Sequence, residues 1–106
     1  MPKYLVTASY NADGVRGLIK EGGTGRRAAV QAAAKKAGGK VEAFYFAHGD
    51  ADAILILDLP AAASALALSL AVNASGAVRA TTTPRLTVEE LDKACKKTVA
   101  YRAPGA

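Results

Sequence analysis

The chain contains no tryptophan, only one cysteine and few aromatic residues. Its single cysteine, Cys95, excludes an internal disulfide and any site built from paired cysteines, which fits a reducing compartment. The amino terminus has no basic segment followed by a long apolar stretch, so we expect no secretory signal and a cytoplasmic protein. Hydrophobic residues make up 51% of the chain, but many of them are alanine, which predicts a thin core.

The sequence also lacks an uninterrupted membrane-spanning segment. Residues 53–72 come nearest to one, but Asp58 and Pro60 lie within them, and a buried strand, a turn and a helix explain them better. The formal net charge is +5, and the basic residues are spread over helix positions without interleaved aromatic residues. We therefore expect a solvated basic face, and neither a membrane nor a nucleic acid as a partner.

Apolar periodicity and turn residues predict the secondary structure of a chain with room for one core. Four strands are predicted, at residues 4–10, 41–47, 53–58 and 78–83. Two helices are predicted between them, at residues 26–37 and 61–73. The first helix follows a glycine-rich connection, with Thr24 as its N-cap, and ends at Gly38 and Gly39.

A third helix is predicted near the carboxyl terminus. Thr87 and Glu90 have the spacing of a capping box, in which each residue satisfies an unpaired amide of the other. Val88, Leu91 and Cys95 then share one face at helical spacing, so this helix should dock on another surface. Cys95 is accordingly expected to be a small core residue.

The predicted element order is β-α-β-β-α-β followed by a helix. This order predicts an α+β, ferredoxin-like fold, in which two helices cover one face of a four-stranded antiparallel sheet. We assign residues 1–97 to this single domain. Residues 98–106 have no periodicity and are expected to form a flexible tail.

The third predicted strand is apolar on both faces, because Ile54 and Ile56 alternate with Leu55 and Leu57. The second strand is also apolar on both faces. One face carries Phe44 and Phe46, and the other carries Val41, Ala43 and Tyr45. Strands that are apolar on both faces belong to sheets that are covered on both faces. We therefore expect a homo-oligomer, either a dimer or an assembly of dimers, in which a second subunit covers the face without helices.

The chain resembles the GYD family, small bacterial and archaeal proteins named for a Gly-x-Tyr-Asp-like turn. The resemblance runs from about Tyr4 to Leu91 and is carried by Gly14–Leu18, Gly22–Arg27, Gly38–Ala47 and Ala65–Thr83. It implies a fold of the dimeric α+β barrel type and an oligomer, but no particular activity. In the family turn, Gly49 and Asp52 match, while Ala51 occupies the position of the usual tyrosine.

That turn is the first candidate site, because His48, Asp50 and Asp52 alternate and would point to one side of an extended segment. Imidazole and carboxylate groups together bind transition metals or move protons. Aspartate and glycine are also ordinary turn residues, so a purely structural turn is the alternative. We name His48 and Asp52 as candidate catalytic residues, and we expect no bound metal and no cofactor.

Two further candidate sites concern ligands. The glycine-rich segment before Arg26 and Arg27 could hold a phosphate or carboxylate at a helix N-terminus. It matches neither a Walker A sequence nor a GxGxxG turn, so a flexible connection is the alternative. Polar strand residues could line a cavity for a small, flat, apolar ligand, with ordinary packing as the alternative. The residues named as ligand-binding are Tyr4, Tyr10, Tyr45 and Arg79, and Thr81 and Thr82 of the fourth strand are weighed beside them as possible lining residues.

The sequence leaves three functions open. The first is binding or sensing of a small-molecule ligand in a cavity between sheet and helices. The second is a cofactor-independent enzyme, an oxygenase or isomerase, with His48 and Asp52 as acid-base groups. The third is a scaffold that acts through its sheet face and basic helix. A cavity reached by His48 or a tyrosine would distinguish the first two, and a filled interior would favour the third.

Overall fold

The chain forms four strands and three helices, and the computed structural model describes residues 1–106. They are β1 (Lys3–Tyr10), α1 (Ala12–Lys36), β2 (Lys40–Phe46), β3 (Ala53–Asp58), α2 (Ala62–Ala74), β4 (Val78–Pro84) and α3 (Val88–Cys95). The strands form one sheet in the order β2-β3-β1-β4, and all neighbours are antiparallel. The predicted α+β fold of ferredoxin-like order with a carboxyl-terminal helix is thus confirmed. No helix has both the length and the apolar character needed to cross a membrane.

One face of the sheet, called the helix face below, carries the core. Helix α1 packs over β1 and β2, and α2 packs over β4. Alternate residues of the strands point towards these helices and are buried, because successive strand side chains point to opposite faces. The core cluster consists of Tyr4, Val6, Ala8, Ala53, Leu55, Leu57, Leu59, Ala65 and Ala80.

The opposite face of the sheet, called the open face below, has no helix over it. Its apolar side chains come from the central strands and from β2, and three of them are exposed: Leu5, Tyr45 and Ile54. Ile56 lies on the same face and is half-buried. The predicted two-sided apolar character of β3 is therefore present, and only one side is covered within the chain.

Helix α1 begins much earlier than predicted. Asn11 is its N-cap, with a side-chain oxygen that accepts a hydrogen bond from the backbone N–H of Gly14. Gly22 interrupts the helix with a φ of 75°, so residues 12–21 and 23–36 form two helical segments. The prediction of a loose connection with Thr24 as N-cap was wrong. The end of the helix was predicted correctly, since Gly38 follows it with a φ of 88°.

A β-bulge changes which face Val41 occupies. The pairing of β2 with β3 shifts between Val41 and Ala43, so that Val41 lies opposite Leu57 and Phe44 lies opposite Leu55. Paired residues point to the same side, and Val41 therefore shares the helix face with Phe44. The prediction that Val41 lies opposite the phenylalanines was wrong, because one extra residue in a strand reverses the alternation.

Helix α3 has the predicted capping box but no docking surface within the chain. The Thr87 hydroxyl accepts a hydrogen bond from the Glu90 backbone N–H at 3.0 Å, and the Glu90 carboxylate accepts one from the Thr87 N–H at 3.2 Å. Every residue of α3 is exposed, including Val88 and Leu91. The prediction that Cys95 is a core residue was wrong, because its thiol is exposed. Residues 98–106 are exposed and form neither helix nor strand.

Candidate functional site

A cavity of about 140 Å³ lies between the helix face of the sheet and the two helices that cover it. It is lined by 19 residues, of which 16 are hydrophobic. All four strands contribute side chains, among them Tyr10 from β1, Phe44 from β2, Leu55 from β3 and Val78 from β4. The interior is therefore hollow and apolar, not filled by side chains.

The cavity exists because small side chains face each other across the two layers. Six of its lining residues are alanines, contributed by the strands and by both helices: Ala8, Ala29, Ala33, Ala53, Ala65 and Ala80. An alanine leaves space that a leucine or phenylalanine would fill at normal packing density. The alanine-rich composition that predicted a thin core is thus concentrated around one space.

Arg26 is the one charged residue that lines the cavity. It lies in the first turn of the second segment of α1, and its side chain is 27% exposed. The Nε atom is buried and has no hydrogen-bond partner. The nearest carboxylate oxygen is Oε1 of Glu21, 3.9 Å from Nη1 of Arg26, which is too long for a hydrogen bond.

Ser69, another polar lining residue, belongs to a short network around Asn73. The Asn73 side chain accepts from the backbone N–H of Ala80 at 2.8 Å and donates to the Ala80 carbonyl at 3.1 Å. It also donates to the hydroxyl of Ser69, a lining residue, at 3.3 Å. Asn73 therefore holds α2 against β4, on one wall of the cavity.

The predicted turn site lies away from this cavity. His48 and Asp50 are exposed, and neither they nor Asp52 line the cavity. The Asp52 carboxylate accepts a hydrogen bond from the backbone N–H of Tyr10 at 2.8 Å, which ties the turn to the end of β1. No group of three or more His, Cys, Asp or Glu side chains in the chain could hold a metal ion.

The four residues predicted to bind a ligand are divided between the two faces. Tyr10 lines the cavity. Tyr4 is buried in the core on the same face but does not line the cavity. Tyr45 pairs with Ile54, and Arg79 pairs with Ser9, so both lie on the open face. The structure thus brings Tyr10 of these four to the cavity, together with Thr82, the further candidate from β4.

A charged cluster occupies one corner of the open face. The Lys3 ammonium donates to Asp58 at 2.6 Å and to Glu42 at 2.8 Å. The hydrogen bond with Asp58, and then that with Glu42, raises the pKa of Lys3 above 10.5. The same hydrogen bond from Lys3 lowers the pKa of Asp58 below 3.8. Asp58 is 5% exposed, so Lys3 supplies the counter-charge of a buried carboxylate.

Arg26 was noted in the sequence only as part of a glycine-rich helix start, and its place at the cavity was missed. The signal for that place is helical periodicity: Arg26, Ala29, Val30 and Ala33 are spaced i, i+3, i+4 and i+7. A cation on the apolar stripe of a helix must face the interior. Arg27, one residue further on, falls off this stripe and is exposed.

Comparison with protein families gives one match: the model of the GYD domain matches residues 4–95. The match covers most of the 106 residues and includes all three helices and every strand residue except Lys3. Searches of curated proteins and of solved structures found no match.

Proposed function

The chain belongs to the GYD domain family, and on the basis of its hollow interior we propose that it binds a small apolar molecule between its sheet and its helices. The cavity of about 140 Å³ carries this proposal. An apolar cavity of about 150 Å³ stays free of water and accepts benzene. The space therefore suits one aromatic ring or an aliphatic chain of similar size.

Ligand binding is better supported than catalysis by the turn residues. The cavity is reached by Tyr10 and not by His48 or Asp52, the proposed acid-base pair. The Asp52 carboxylate is occupied by the Tyr10 backbone N–H. A hollow interior also favours a ligand-binding protein over a scaffold, whose interior would have been filled.

A second part of the proposal is that copies of this chain assemble through the open face. The chain exposes 7,534 Å², against about 5,500 Å² for a compact monomer of this mass. Its radius of gyration is 16.8 Å, against about 13 Å for a compact domain of this length. A second copy over the open face would cover Leu5 and Ile54, and its presence would give the exposed face of α3 a surface to pack against. The free thiol of Cys95 suits the reducing cytoplasm.

The ligand-binding proposal is tested by filling the cavity. Toluene is titrated into the protein, and backbone amide shifts are followed by NMR, with Ala33→Leu as the cavity-filling variant and Ala32→Leu as its control. Ala33 lines the cavity, whereas Ala32 is exposed on the same helix. We expect saturable shifts around the cavity in the wild type and in Ala32→Leu, and none in a folded Ala33→Leu. Absence of saturable shifts in the wild type would refute the proposal.

A further inference from the structure

We propose that the cavity selects a monocarboxylate, whose ring or short chain fills the apolar space and whose carboxylate binds the guanidinium of Arg26. This inference rests on the proposed ligand binding and adds the chemical class of the ligand. It is carried by one unsatisfied cationic donor at the edge of an otherwise apolar cavity.

The Arg26 side chain carries a buried donor. The Nε–H of Arg26 is removed from water and has no acceptor within the protein. An unsatisfied donor on a charged group is costly, and native structures rarely leave one without a partner. Glu21 does not fill this role, because its carboxylate is 3.9 Å from Nη1 and not bonded to Nε. The donor is therefore unpaired, and an acceptor that enters the cavity would reach it after a shift of the Arg26 side chain, because Nε has almost no exposed surface in this structure.

The shape of the guanidinium favours a carboxylate as that acceptor. A carboxylate can accept two parallel hydrogen bonds from a guanidinium, one from Nε–H and one from a neighbouring Nη–H. Arginine presents these donors in a fixed planar fork, which matches the two oxygens of a carboxylate. A carboxylate would accept one hydrogen bond from Nε–H and a second one from Nη–H. Neither Glu21 nor a single water molecule supplies this pair of bonds.

The charges around the cavity limit the charge of the ligand. No acidic side chain lines the cavity, and Arg26 is its one cation. Glu21 already places one partly exposed carboxylate 3.9 Å from Nη1, so Arg26 accommodates one further negative charge at most, and a phosphate dianion would enter an apolar space with more of its charge unpaired. The volume of about 140 Å³ leaves room for roughly one six-membered ring beside that group. These features together describe a small aromatic or aliphatic monocarboxylic acid.

The test compares an anion with a neutral molecule of the same shape. Benzoate and benzamide are titrated into the full-length protein by NMR and calorimetry. We expect benzoate to bind the wild type at least about tenfold more tightly than benzamide, since a hydrogen bond to a charged group contributes about 1.5–3 kcal/mol. Arg26→Gln should remove this preference, because it lowers the affinity for benzoate far more than the affinity for benzamide.

Two variants make the result specific to Arg26. Arg27→Gln removes the same charge from the adjacent, exposed position and should leave both affinities unchanged. Arg26→Lys keeps the charge but loses the planar fork, so it should bind benzoate with intermediate affinity and also serves if Arg26→Gln fails to fold.

The outcomes separate this inference from the proposed function. Equal binding of benzoate and benzamide by the wild type, or an unchanged preference in folded Arg26→Gln, would overturn the monocarboxylate while leaving ligand binding intact. If benzoate, benzamide and toluene all fail to bind the wild type, the proposed function fails together with its ligand class.

Discussion

The two faces of the sheet are built from the same strands but meet different surroundings. On the helix face, Leu55 is 5% exposed because α1 and α2 lie over the strands. On the open face, the adjacent Ile54 is 37% exposed, and Leu5 beside it is also exposed. Neighbouring residues of similar hydrophobicity thus differ only in what covers them. The helix face is covered within one chain, whereas the open face is not, and we propose that a second copy covers it.

The largest expected effect comes from placing the same charge on each face in turn. Leu55→Asp buries a carboxylate without a partner and should cost several kcal/mol, enough to unfold a small domain. Ile54→Asp should keep the fold, because its side chain is exposed within the single chain, but should prevent association. Circular dichroism and light scattering measure the two effects. A monomeric wild type, or an Ile54→Asp variant that still associates, would refute the proposed role of the open face.

A smaller effect is expected where α2 is held on the helix face. Asn73→Ala leaves both the N–H and the carbonyl of Ala80 without their partner, so we expect a loss of about 1–3 kcal/mol of unfolding free energy. Asn73→Asp keeps the acceptor for the N–H but loses the donor, and should fall between wild type and Asn73→Ala. Urea denaturation gives the comparison. Wild-type stability in Asn73→Ala would mean that the network does not hold α2 in place.

The smallest effect concerns the charged corner of the open face, and it depends on pH. Because Lys3 lowers the pKa of Asp58 in the folded state, this pair stabilises the protein above pH 3.8, and the contribution is lost as the pH falls through the folded pKa. Because the pKa of Lys3 is raised in the folded state, the stabilisation by this pair is also lost at high pH, as the pH rises above 10.5 through the folded pKa of Lys3. Thermal melting between pH 5 and pH 2 should therefore decline less steeply in Asp58→Asn.

Asp50→Asn is the control for this experiment, since Asp50 is exposed and forms no ion pair in the structure. It should melt with the same pH dependence as the wild type. Equal slopes in all three proteins would show that the Lys3–Asp58 pair does not stabilise the fold.

The sequence predicted those parts of the fold that depend on local signals. The alternation of Ile54 to Leu57 predicted β3 and both of its faces, and Thr87 with Glu90 predicted the capping box. The first half of α1 was missed, because its glycines lower helix propensity and hid the start of the helix at the Asn11 cap.

The candidate site was less predictable, because it is a space between elements and not a motif. The positions of the tyrosines in the strands did not reveal which of them would face the cavity. Of the tyrosines, only Tyr10 lines it. His48 was named as a candidate catalytic residue because it is the only histidine, but it lies in an exposed turn. The position of Arg26 on the apolar stripe of α1 was a usable signal. Its interpretation required the start of the helix and the position of the cavity above the sheet.

The alanine lining also constrains how this protein can evolve. An alanine can lose only one carbon, by becoming glycine, whereas almost every other substitution enlarges it. At the six alanine positions of the cavity, natural variation therefore narrows the space far more readily than it widens it. Lineages that acquire a larger ligand must instead change the bulky lining positions, such as Phe44 or Leu55, which also form the core. Selectivity for smaller molecules is thus accessible by single mutations, and selectivity for larger ones is linked to fold stability.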